Sequence, residues 1–98
     1  MKVQFGYEYK HCTADTAVKN IAGVLHSVVI NKAATTAGVI TLYDNTAESG
    51  TVIAAITVTK SDASQAPVTL IYDLRFATGL YAGFDGTIQG ADITITYV

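Results

Sequence analysis

The first ten residues alternate strictly. Val3, Phe5, Tyr7 and Tyr9 fall on one side, and Lys2, Gln4, Glu8 and Lys10 on the other. A period of two marks a half-buried strand, expected near residues 2–10 with its aromatic side inward. Residues 11–20 are mixed and polar, which suits a connection that closes in a short strand. A long strand is expected over 24–32, with Val24, His26, Val28 and Ile30 opposite Leu25, Ser27, Val29 and Asn31. Both of its sides carry apolar residues, so it belongs in the middle of a sheet or under cover on both faces.

Small residues from Ala33 to Gly38 interrupt the pattern, and Val39–Asp44 resumes it as a third long strand. Asn45 to Gly50 is a turn cluster. Thr51 to Thr59 follows, with Val52, Ala54, Ile56 and Val58 on one face. A polar loop from Lys60 to Ala66 ends at Pro67, the only proline, placed where a strand can begin without losing a ladder bond. Val68, Leu70, Tyr72, Leu74 and Phe76 then alternate against Thr69, Ile71, Asp73 and Arg75. Ala77-Thr78-Gly79 breaks that strand, Leu80, Ala82 and Phe84 mark a short one, and Asp85-Gly86 signals a tight turn. The last strand covers about 91–98, with Ile93, Ile95 and Tyr97 against Thr94, Thr96 and Val98.

About seven short strands at regular spacing, without a helical pattern, predict an all-β chain: a compact antiparallel β-sandwich, jelly-roll or Ig-like. No repeat of 20–50 residues is visible, which excludes solenoids and propellers. The 98 residues suffice for a single domain, 1–98. Composition agrees. Half the chain is apolar and only 14% is charged, while Val, Ile, Thr and Tyr, which pack well on a pleated surface, recur throughout.

Charge narrows the partners. The net charge is −2, and five lysines lie scattered with one arginine, Arg75. Nucleic-acid binding needs clustered cations to neutralise phosphates, so it is not expected, and anionic membranes are disfavoured on the same ground. No apolar run has the length of a signal peptide core or a membrane span. The single cysteine, Cys12, cannot form an internal disulfide, which fits synthesis in a reducing compartment.

Chemistry-bearing residues are few. Cys12 beside His11, with His26 and Asp15 as conceivable partners, is the only nucleophilic arrangement to weigh. Neighbours on a strand point to opposite faces, so His11 and Cys12 meet only if the backbone turns there. A merely buried or loop cysteine is the simpler reading. Metal binding lacks paired Cys or His spacing. Asp44, Glu48, Asp62, Asp73, Asp85 and Asp92 lie at or near turns, which these residues tolerate, and none forms a cation-loop motif. Asp73 and Arg75 share a strand face and could pair there. No catalytic, cofactor or metal residue is expected, and no enzyme. The six tyrosines, with no tryptophan, keep a hydroxyl at the edge of the core and suit interfaces.

From about residue 17 onward the chain resembles small β-sandwich proteins of tailed-bacteriophage virions. The likeness is carried by Val24-Leu25-His26-Ser27 with Val29-Ile30-Asn31, by Gly38-Val39-Ile40-Thr41-Leu42-Tyr43-Asp44-Asn45-Thr46, and by Ser49-Gly50-Thr51-Val52-Ile53-Ala54. It continues in Leu74-Arg75-Phe76-Ala77-Thr78-Gly79-Leu80 and Ala91-Asp92-Ile93-Thr94-Ile95-Thr96-Tyr97. The resemblance implies a virion structural role, foremost a capsid decoration or cement protein, and transfers no catalytic residue. Its implied partners are the major capsid protein or other virion proteins and further copies of itself, with a trimer as first expectation from shell symmetry. The implied location is the virion, after synthesis in the host cytoplasm. Residues 1–16 fall outside the likeness and are read as an N-terminal interaction strand or arm. A tail, neck or fibre adaptor is the neighbouring expectation. A glycan- or receptor-binding module is the rival, and it requires an exposed aromatic platform around Tyr72, Tyr81 or Phe84.

Overall fold

Eight strands run along the computed structural model, which describes residues 6–32, 34, 36, 38–58, 68–85 and 88–98. They are β1 (Glu8–Cys12), β2 (Thr16–Lys19), β3 (Gly23–Lys32), β4 (Gly38–Asp44), β5 (Thr51–Val58), β6 (Val68–Phe76), β7 (Leu80–Phe84) and β8 (Asp92–Tyr97). The short strand anticipated within residues 11–20 is β2, and it raises the expected seven to eight. The first half of the strand expected at 2–10, Thr59, the 60–66 loop, Pro67 and the Gly86 turn lie outside the described residues.

The strands pair as one nested ribbon: β4 with β5, β3 with β6, β2 with β7 and β1 with β8, all antiparallel. Folding that ribbon across itself sets β3 beside β8 and β4 beside β7. Two four-stranded sheets result, β1-β8-β3-β6 and β2-β7-β4-β5. Eight strands in this order form a jelly roll, so the Ig-like alternative is set aside.

Alternation explains which side chains meet between the sheets. Leu25, Val28, Phe76, Ile93 and Ile95 of the first sheet face Ile40, Leu42, Leu80 and Ala82 of the second, and all are fully buried. β3, apolar on both sides, is central as its pattern required.

Three face assignments are corrected. At β1 the paired strand begins only at Glu8, and Cys12 rather than the tyrosines points inward, because Cys12 opposes the buried Ile93. Tyr9 is instead 71% exposed. At β3 the register slips between Leu25 and Ser27 against both neighbours. His26 is an extra residue relative to β8, so Leu25 and Val28 both point inward and His26 does not share a face with Val28 and Ile30. At β5 the register slips opposite Leu42 and Tyr43, which turns Val52 outward while Ile56 and Val58 stay buried.

Candidate functional site

His11, Cys12, His26 and Asp15 do not converge. Cys12 is 1% exposed beneath the first sheet, its Sγ directed at the Lys10 carbonyl at 3.7 Å. Burial pushes its thiol above the ordinary value, against weaker help from the Thr16 hydroxyl. His11 lies on the other side of β1, where its Nε2 is 2.8 Å from Asp92 Oδ1. His26 faces Asp73, with Nδ1 2.5 Å from Oδ1. Asp15 accepts the Phe84 N–H at 2.7 Å, at the edge of the second sheet. Each candidate is held in a different set of contacts.

The outer face of the first sheet is the most organised surface. Asp92 accepts from Asn31 Nδ2 at 2.9 Å and faces His11, which ties β1, β8 and β3 in one row. Asn31 also donates to Thr94 Oγ1 at 2.9 Å. The Asn31 amide, then His11, hold the Asp92 carboxyl below its usual range. Next along the face, Ser27 Oγ and Thr96 Oγ1 are 2.5 Å apart. Beyond them the Tyr7 ring stacks on His26, with centroids 4.0 Å apart and planes nearly parallel. Asp73 adopts φ 47° at the bulge and turns to His26, so the expected Asp73–Arg75 pairing gives way to a cross-strand one.

On the second sheet Asp15 and Glu48 form a carboxyl pair. The Asp15 hydrogen bond, followed by its charge, holds the Glu48 carboxyl above its ordinary value. The Glu48 side chain lies over Gly83, where a Cβ would come within 3.0 Å of it. Burial, and then these two carboxylates, raise the Tyr81 phenol. Beside them is a shallow open groove of about 330 Å³ between Asp15, Phe84, Asp85 and Ile88. Among the described residues no group of three or more His, Cys, Asp or Glu could hold a metal ion.

Asp44 closes a structural clamp. Its carboxylate accepts from the backbone N–H of Ala77 at 2.9 Å, Thr78 at 2.8 Å and Gly79 at 3.4 Å. The Ala77 and Thr78 bonds draw its pKa down. Two stretches far apart in sequence, at 38–46 and 74–80, therefore meet at one carboxylate. Neither this clamp nor the Asp15–Glu48 pair follows from local spacing. The one available signal was a preference of Asp for strand ends.

The aromatic platform required of a glycan module is not formed where it was expected. Phe84 is only 8% exposed, and Tyr72 and Tyr81 are half-buried. Among the described residues the exposed aromatics are Tyr7 and Tyr9, at the β1 end of the first sheet. Comparison with known protein families, curated proteins and solved structures finds no match to this chain.

Proposed function

We propose that the chain is a structural component of a tailed-phage virion, foremost a capsid decoration protein that stabilises the shell through lattice contacts. The observation that carries this reading is the jelly-roll strand order, an architecture used by viral shell domains and also by lectins. The step from fold to role is an analogy, supported by the virion-like residue stretches. Those stretches supply the Asp44 clamp and the central strands β3, β4 and β8, so the likeness rests on residues that determine the fold. The polar outer face of the first sheet, with Tyr7 and Tyr9 at one end, offers a wet and amphipathic contact surface suited to a lattice.

Native mass spectrometry of the protein with and without empty capsids of the encoding phage tests the proposal. Binding to capsids, together with the protein's presence in purified virions, is the expected result. Its absence from virions would remove the proposal. A tail or neck adaptor is the neighbouring reading, and cryo-microscopy of the particle separates the two positions.

A further inference from the structure

Each sheet of a jelly roll has two free edges, and three of the four here are guarded against pairing. β1 carries Glu8, Lys10 and His11 along five residues. β2 is four residues long, ends in Lys19 and is broken by a bulge. β6 is longer, but Asp73 and Arg75 lie on it and the bulge with Asp73 at φ 47° bends it. Charge, brevity and bulges are the devices that keep strand edges from adding foreign strands.

β5 has few of them. Its eight residues, Thr-Val-Ile-Ala-Ala-Ile-Thr-Val, include no charge and no proline. The register slip lies near its start, and Ala54 to Val58 runs regularly against β4. The residues turned outward there, Ala55 and Thr57, are small and exposed. Among the described residues no strand pairs with the outer edge of β5, which presents N–H and C=O groups there with no large side chain in the way.

We propose that β5 is a self-association surface, on which the β5 of a second copy pairs antiparallel about a two-fold axis. The occupant follows from the charge pattern and the symmetry. A strand without charges meets no like charge when set against itself. Antiparallel pairing about an axis normal to the sheet keeps inner faces on the same side. A pairing centred on Ile56 places Ala55 against Thr57 and Ala54 against Val58, so buried positions match buried ones. Because each copy has one such edge, the contact closes at two copies and joins two four-stranded sheets into one of eight. The contact is small. Two short edges bury less than the roughly 1,200 Å² of a standard interface, which places the affinity in the weak, concentration-dependent class. This inference concerns the chain alone and holds or fails independently of the virion reading.

Sedimentation velocity across micromolar to millimolar concentration is the test. The wild-type chain should pass from the 10.3 kDa species toward twice that mass. The double variant Ala55→Lys/Thr57→Lys sets four ammonium groups together in the pair and should weaken association at least ten-fold. An Ile71→Lys variant on the exposed β6 edge should associate as wild type. Amide exchange on the wild-type chain supplies a readout that does not depend on any variant folding: β5 amides should gain protection with concentration and β6 amides should not. A monomer at every concentration, growth beyond two copies, or protection unchanged in β5 would each overturn the proposal.

Discussion

At the residue scale, carboxylates act in opposite senses according to what each one faces. Asp44 and Asp92 meet N–H donors, and donors to the charged form lower their pKa values. Their contribution to stability is complete above the ordinary value of 3.8 and is lost as pH falls through the lowered folded value. Glu48 meets another carboxyl, so its folded pKa lies above the ordinary 4.5. Its protonated form is favoured in the fold, and its ionisation costs stability as pH rises through the raised value. Two substitutions should therefore diverge. Asp44→Asn should lower the melting temperature at pH 7, with the deficit shrinking below about pH 3.8. Glu48→Gln should raise the melting temperature at pH 7 and give no gain near pH 4, where the wild-type carboxyl is already protonated. Thermal melts by circular dichroism at pH 7, near pH 4 and below about pH 3.8 check both, and a Glu48→Gln variant less stable at pH 7 would contradict the pairing with Asp15. Cys12 provides a third expectation. A thiol that is 1% exposed with a raised pKa should react with a disulfide reagent only as fast as the sandwich opens, and at once in denaturant. Immediate stoichiometric labelling of the native protein would contradict that burial.

At the element scale, the β6–β7 turn shows how closely backbones approach. A Cβ at Gly79 would stand 2.8 Å from the Lys19 carbonyl oxygen and 2.9 Å from that of Asn45, both rigid main-chain atoms. Gly79→Ala should therefore cost about 1–3 kcal/mol through overpacking and displace the N–H that Asp44 holds. A urea titration measures it, and a cost under 0.5 kcal/mol would mean the turn yields freely. The same element shows what a linear reading reaches. β4, β6 and β8 keep the alternation of their residues, with the more buried side chains at every second position despite the slips in their partners' register. Parity was lost at His26 and Val52, where one inserted residue reverses every side chain beyond it. A bulge of this kind leaves no mark in composition, because it is set by the partner strand. The Asp44 clamp was out of reach for a related reason. Its donors at 77–79 come together with it only when β4 and β7 are already paired. The outward turn of Tyr9 had the same origin: β1 takes its register from Ile93 and Ile95, and its own apolar pattern is overruled.

For the whole molecule, the nested ribbon dictates an order of assembly. β4 and β5 are joined across the short 45–50 turn, which Asn45 organises by donating to the Ser49 carbonyl at 2.8 Å. On loop length, β3 and β6 are expected to close next, then β2 and β7, and β1 with β8 last, where residue 8 lies beside residue 97. Each outer pairing has a longer loop to close, and the inner pairings shorten it. A topology dominated by such distant pairs should fold in milliseconds to seconds rather than microseconds. The order also assigns the transition state. Ile40 of β4 and Ile95 of β8 are both fully buried and chemically identical, so Ile→Val at each should cost a similar 0.5–1.5 kcal/mol at equilibrium. Their kinetics should differ. Ile40→Val should slow folding and leave unfolding nearly unchanged, whereas Ile95→Val should leave folding alone and speed unfolding about two- to ten-fold. Stopped-flow chevrons followed by tyrosine fluorescence, with no tryptophan to mask it, read both limbs. The reverse pattern would place the nucleus at the β1–β8 seam and require the chain ends to meet before the central hairpin has formed.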